Sequence, residues 1–165
     1  MENLVELLTK LLGGLGKEII VLIISMLPIL ELRGGLIAAT LLKVNFLSGY
    51  LYSIIGNILP IPIVLLFLEK IFNLLKKINK IDKLIIKIEN KIMSKKGQIE
   101  KYGYLGLLLF VGIPLPGTGA WTGSALAVFL NLDKKKSFIT ILLGIILASI
   151  IMSILSYGIL DNIIK

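Results

Sequence analysis

Four apolar stretches, at 19–42, 46–68, 105–130 and 138–160, each run beyond twenty residues. At about 1.5 Å of helical rise per residue, each is long enough to cross a hydrocarbon core of about 30 Å. The rest of the composition agrees. A mean hydropathy of +0.96, with 56% hydrophobic and 17% charged residues in 165, excludes an ordinary soluble domain. The expected class is an all-α integral membrane protein of one domain. Histidine and cysteine are both absent, which removes the usual metal ligands, thiol nucleophiles and disulfides, so no cofactor and no metal are expected. The net charge of +8 does not point to nucleic acid, because most lysines fall between the apolar stretches, where they set topology.

Two stretches, 46–68 and 138–160, contain no charged residue and read as transmembrane helices. The other two are interrupted at their middles. In 19–42 the run Pro28-Ile-Leu-Glu31-Leu-Arg33-Gly34-Gly35 sets two charges and two glycines at mid-depth, and in 105–130 the run Ile113-Pro114-Leu-Pro116-Gly117-Thr118-Gly119 sets two prolines among weak helix formers. On an intact helix Glu31 and Arg33 would point about 200° apart and could not pair. Each would cost roughly 2.5 to 3.5 kcal/mol at mid-bilayer, so a polar cavity is expected around them. Irregular backbone at that depth has to be buried in protein or line water. The arms flanking each break reach about halfway across, and can fold back as re-entrant hairpins or continue as broken helices.

The central segment 70–102 carries ten lysines, with apolar residues at 71, 74, 78, 81, 85, 88 and 92. It reads as one basic amphipathic helix lying on anionic membrane lipid, or else as a coiled coil between subunits. By the positive-inside rule it is cytoplasmic, in a multi-pass protein of the plasma (inner) membrane. Hairpins and full spans both leave thirteen lysines on its side and four on the other, so the count does not choose between them. At the N-terminus, 1–17 reads as an interfacial amphipathic helix, with Leu4, Leu7, Leu8, Leu11, Leu12 and Leu15 at helical spacing and no signal-peptide pattern. Gly49, Ser53, Gly56, Asn57 and Pro60 form one small or polar stripe, and Ser149, Ser153 and Ser156 another, for close helix packing. Asn57 is costly enough in lipid to be placed at a site.

The order break, transmembrane helix, basic connector, break, transmembrane helix is a two-fold repeat with break centres about 85 residues apart. If each half holds one hairpin and one crossing, the halves are inverted, as in transporters.

Glu-Leu-Arg-Gly-Gly-Leu-Ile-Ala-Ala at 31–39, with Pro-Leu-Pro-Gly-Thr-Gly-Ala-Trp-Thr-Gly-Ser-Ala-Leu-Ala at 114–127, resembles the small multidrug export protein family over nearly the whole chain. That family looks in turn like a remote relative of the DedA and VTT membrane proteins, and the resemblance implies opposed re-entrant hairpins and a lipid or lipid-carrier substrate. The second half departs from the DedA pattern in having no arginine near its break. The expected fold is then an inverted repeat of re-entrant hairpin plus transmembrane helix, with amphipathic N-terminal and central helices.

Opposed hairpins would bring both breaks together near mid-membrane. Helical arms restarting at Gly34 and Ala120, the second capped by Thr118, would aim backbone N–H groups into that space, and with Arg33 would favour a phosphate or carboxylate group. Glu31 has two candidate roles, pairing with Arg33 or taking up a proton or organic cation. Trp121 is placed to stack on a substrate, cover the cavity or pack. Pro114, Pro116, Gly117, Thr118, Gly119 and Thr122 complete the candidate site with Glu31, Arg33 and Asn57. No Walker lysine follows the glycines, so no ATPase or other enzyme is expected. The functional expectation is a transporter or exporter, homo-oligomeric, taking a small molecule or lipid with an anionic group. Lipid scrambling and a non-transporting membrane scaffold are the alternatives.

Overall fold

The structure, a computed structural model, describes residues 2–77 and 81–163, with side chains described for all of these except residues 2, 98 and 155–163. Among the described residues there are nine helices and no strand: α1 (Glu2–Leu11), α2 (Lys17–Met26), α3 (Glu31–Leu41), α4 (Phe46–Ile58), α5 (Ile61–Leu75), α6 (Asp82–Met93), α7 (Gly97–Gly112), α8 (Ala120–Phe129) and α9 (Lys134–Ile163).

Two of the apolar paths are long enough to span a bilayer, Phe46–Leu75 and Lys134–Ile154. The first is α4 followed almost directly by α5. Pro60 and Pro62 sit at the start of α5, where a missing N–H removes no helical bond, so the path continues through the joint. The stripe on α4 faces inward as its spacing requires: Gly49, Ser53, Gly56 and Asn57 are all buried. Gly56 lies so close to α2 that a Cβ there would press on the Leu22 carbonyl, and a Cβ at Gly144 on α9 would press on the Val111 side chain of α7. Ser149 and Ser153 are buried as well, while the Ser156 side chain lies outside the described residues.

The two interrupted stretches fold as helix pairs. α2 leads through 27–30 into α3, and α7 through 113–119 into α8. α2 packs against α3 and α4, α7 packs against α8 and α9, α3 reaches α9, and α8 reaches α5. The exits from α3 and α8 are built alike. After α3, Lys43 is left-handed (φ 52) and the Val44 N–H bonds the Ala39 carbonyl; after α8, Asn131 is left-handed (φ 53) and the Leu132 N–H bonds the Ala127 carbonyl. Both are Schellman endings. A side-chain cap follows each, from Asn45 to the Leu47 N–H and from Asp133 to the Lys136 N–H.

Three expectations are corrected. α3 restarts at Glu31, ahead of the expected Gly34, because the turn at 27–30 already supplies the acceptors for its first N–H groups: Glu31 donates to Leu27 and Gly34 to Leu30. The central segment is not one helix. α5 extends into it as far as Leu75, α6 stands alone, and α7 begins at Gly97 with a sharp kink at Gly103 (φ 56, ψ −131), a backbone state that glycine adopts readily. Ile78 and Lys80 of that segment lie outside the described residues. The N-terminal helix is shorter than the expected 1–17, ending at Leu11 before a turn into α2, and its Val5 is fully buried in a cluster with Ile20, Val21, Ile24, Ala38 and Ala39. Leu4, Leu7, Leu11 and Leu15 remain exposed, as an interfacial face requires.

Candidate functional site

The N-terminal ends of α3 and α8 meet, and each break supplies what the other lacks. The Glu31 carboxylate accepts from the Ala120 N–H at 3.2 Å and the Trp121 N–H at 3.1 Å, and so caps α8 from across the molecule. An anionic cap at a helix N-terminus satisfies unpaired donors and complements the helix dipole. Arg33 spans in the same direction: its guanidinium donates to the Leu115 carbonyl at 2.8 Å and to the Thr118 carbonyl. The Trp121 indole N–H returns the connection, donating to the Met26 carbonyl at 3.1 Å.

These bonds supply donors to irregular backbone in a turn that is largely exposed on the surface of this chain. Between α7 and α8 the chain exposes carbonyls that no helix satisfies. Arg33 covers those of Leu115 and Thr118, the Lys95 ammonium covers Gly117, and the Thr118 hydroxyl bonds the Ile113 carbonyl at 3.0 Å and the Leu115 carbonyl at 2.9 Å. The Ile113 and Leu115 carbonyls also accept backbone N–H groups, from Leu115 and Thr118 respectively, so the turn is satisfied mostly from within and cross-linked by Arg33 and Lys95.

Glu31 itself is buried and left-handed (φ 49). For a residue with a Cβ that conformation costs on the order of 1 kcal/mol, and it is held by the two bonds to α8. Opposite it, Gly119 adopts φ 141 and ψ −173, and a Cβ there would overlap the Glu31 carboxylate. The close approach of the two breaks therefore requires glycine at 119.

Several sequence-based expectations change here. Thr118 does not cap α8; its N-cap is Gly119 and its cap is Glu31. The N–H groups expected to face an anion are occupied. Glu31 and Arg33 do not pair: the ion pairs among the described residues are Lys76 with Glu89 and Lys96 with Glu100. Trp121 is half-buried and acts as a tether between the breaks.

On one side of this cross-linked layer lies a cavity of about 810 Å³, lined by Pro28, Ile29, Glu31 and Arg33 from the first unit, Pro116, Gly117, Thr118 and Thr122 from the second, and Ile88, Lys91, Ile92 and Lys95 from α6 and the turn after it. Arg33, Lys91 and Lys95 face it against a single carboxylate that already caps α8, so its walls carry uncompensated positive charge beside apolar surface. Lys91 and Lys95 join the site from the central segment, outside the two breaks that the sequence points to. On the other side is a small cavity lined by Glu31, Arg33, Asn57, Pro114, Gly119 and Ala120. Asn57 and Pro114 thus lie apart from Pro116, Thr118 and Thr122, with Glu31 and Arg33 between the two groups.

This arrangement defines an all-helical membrane protein with two interrupted helical segments, cross-linked by polar contacts of which the Glu31–Ala120 bond is buried. A family model described as "Putative small multi-drug export protein" matches residues 31–151, from the Glu31 break into α9, and the chain belongs to that family. No curated protein and no solved structure matches it.

Proposed function

We propose that the protein is a small exporter that binds organic anions in the large cavity and exposes them alternately to the two membrane faces. Its halves, α2–α3–α4/α5 and α7–α8–α9, act as an inverted repeat of re-entrant hairpin and crossing helix. Membership in an export family supports transport at the level of class. The observation that carries the finer reading is the Glu31–α8 cap beside the basic cavity. Depth is consistent with it. Glu31 lies ten residues from the end of α3, Asn57 eleven from the start of α4 and Ala120 nine from the end of α8, all about 14 to 17 Å along their helices, or half a bilayer.

The cap also supplies a switch. An ionised Glu31 accepts from both Ala120 and Trp121. On protonation one carboxyl oxygen becomes a hydroxyl donor and one of those N–H bonds weakens, loosening α8 from α3 and letting the units rearrange. Substrate held by Arg33 and Lys91 would then move with that rearrangement. The central segment faces the cytoplasm in this reading, and a second copy covers the exposed parts of the 113–117 turn.

A second reading is favoured by one feature: Ile29 in the cavity wall is exposed, as are Ile113 and Leu115 in the turn that leads to Pro116, so the cavity can open sideways to lipid. Proteoliposomes separate the two readings. The exporter should accumulate carboxyfluorescein when a pH gradient is imposed, and Lys91→Gln with Lys95→Gln should raise its apparent KM about tenfold, the equivalent of about 1.4 kcal/mol. Redistribution of a fluorescent anionic lipid between leaflets, without dye accumulation, would favour the second reading and reject the first.

A further inference from the structure

Asn57 is buried on α4, and its carbonyl oxygen Oδ1 has no hydrogen-bond partner among the described residues. One turn nearer the start of α4, the Ser53 hydroxyl is fully buried and also without a partner. Unsatisfied polar groups in a helical membrane core are costly and call for a polar ligand or water. Asn57 borders the small cavity on the far side of Glu31, whose volume of about 10 Å³ is at the lower bound for one water molecule. One further turn along, the Tyr50 hydroxyl bonds Ser149 Oγ of α9 at 2.9 Å.

These groups form a row with a direction. α4 begins at Phe46, and the path it starts ends at Leu75, next to α6. The large cavity lies toward α6, whereas Asn57, Ser53 and Tyr50 lead toward the opposite end of the same path. Glu31 stands between the large cavity and this row. The charged groups around it are Arg33 in both cavity walls, with Lys91 and Lys95 in the large one. The walls from α4, α7 and α9 contribute Asn57, Val111, Ile145 and Ala148, none of them charged. α2 carries charge only at Lys17 and Glu18, and on α1 Glu6 and Lys10 are exposed.

We infer that Asn57 and Ser53 hold a short water-bearing path that delivers protons to Glu31 from the membrane face opposite the substrate cavity. A water that donates one hydrogen bond to Asn57 Oδ1 passes its other proton to a Glu31 carboxylate oxygen and takes a replacement proton from the water on its Ser53 side, so that the net transfer is one proton from the membrane face to Glu31. Only O–H bonds form and break, and the proton leaves on the large-cavity side once α8 has moved. This rests on the coupled-exporter reading above, and adds that proton and substrate reach Glu31 from opposite faces. Removing an unpaired buried polar group is ordinarily neutral or stabilising for the fold, so a purely structural role and a path role differ in outcome.

The test uses the full chain in proteoliposomes with carboxyfluorescein, comparing pH-gradient-driven accumulation with dye counterflow at equal pH. Asn57→Leu and the milder Ser53→Ala should each lose stimulation by the gradient, while counterflow stays within about twofold of the parent and thermal stability is unchanged or higher. Glu31→Gln should lose the same stimulation. If Glu31→Gln loses it and both row variants keep it, the path is wrong and the coupling role of Glu31 stands. If Glu31→Gln keeps it, the coupling role fails and the path fails with it.

Discussion

Arg33→Ala should destabilise the protein by about 2 to 3 kcal/mol in reversible unfolding from mixed detergent micelles, and should also abolish transport. One guanidinium serves the carbonyls of Leu115 and Thr118 in the turn between α7 and α8, the Leu115 carbonyl accepting from Thr118 as well. Hydrogen bonds from a charged donor contribute about 1.5 to 3 kcal/mol each, and the total is set toward the low end because the site borders a cavity that admits water. Arg33→Lys should recover about half of the loss, since an ammonium cannot present the two-pronged donor geometry of a guanidinium. A loss below about 0.5 kcal/mol for Arg33→Ala would mean that water serves these carbonyls equally well.

Gly119→Ala should be at least as damaging, by about 3 kcal/mol. Two effects act together. The backbone at φ 141 is one that residues with a Cβ rarely adopt, and the added methyl would occupy the position of the Glu31 carboxylate. Glu31 would have to withdraw, leaving the Ala120 and Trp121 N–H groups unpaired. Gly117→Ala is the internal control: its φ of 77 is also left-handed, but the methyl meets only the flexible end of Lys95. It should cost less than half as much by the same unfolding measurement. Because Gly119→Ala acts partly through Glu31, combining it with Glu31→Ala should fall short of additivity by about 1 kcal/mol or more. Strict additivity would show that the carboxylate and the glycine do not share a site.

Much of this architecture is legible in the residues. Charge-free runs mark the helices of 46–68 and 138–160, and two prolines among glycines mark the turn at 113–119, with α8 restarting at Ala120 as expected. The pairing of the breaks follows from the cost of isolated charge in lipid, which has to be met by polar partners. What the spacing does not reveal is which partners. Glu31 and Arg33 lie on one helix and suggest each other, but their directions send them to separate groups on the second break, 82 to 90 residues away. No local pattern encodes a carboxylate that caps a helix so distant in sequence. Lys91 and Lys95 were hidden for a different reason. Their heptad spacing fits a continuous surface helix, and only the turn at 94–96, with Gly97 and Gly103 after it, brings α6 back over the site. In the sequence the repeat is an order of segments, and in the structure α3 and α8 end in the same backbone geometry at Lys43 and Asn131.

In the proposed fold two opposed hairpins meet at Glu31 and Ala120. It is tested most directly by the sidedness of the turns that leave them. The chain has no cysteine, so Leu47→Cys at the start of α4 and Lys134→Cys at the start of α9, both exposed positions, can each be introduced alone. Labelling with a membrane-impermeant maleimide in right-side-out and inside-out vesicles should modify Leu47→Cys from outside and Lys134→Cys from the cytoplasmic side. Modification of both from the same side would mean that 19–42 and 105–130 cross the membrane completely, and would contradict the account.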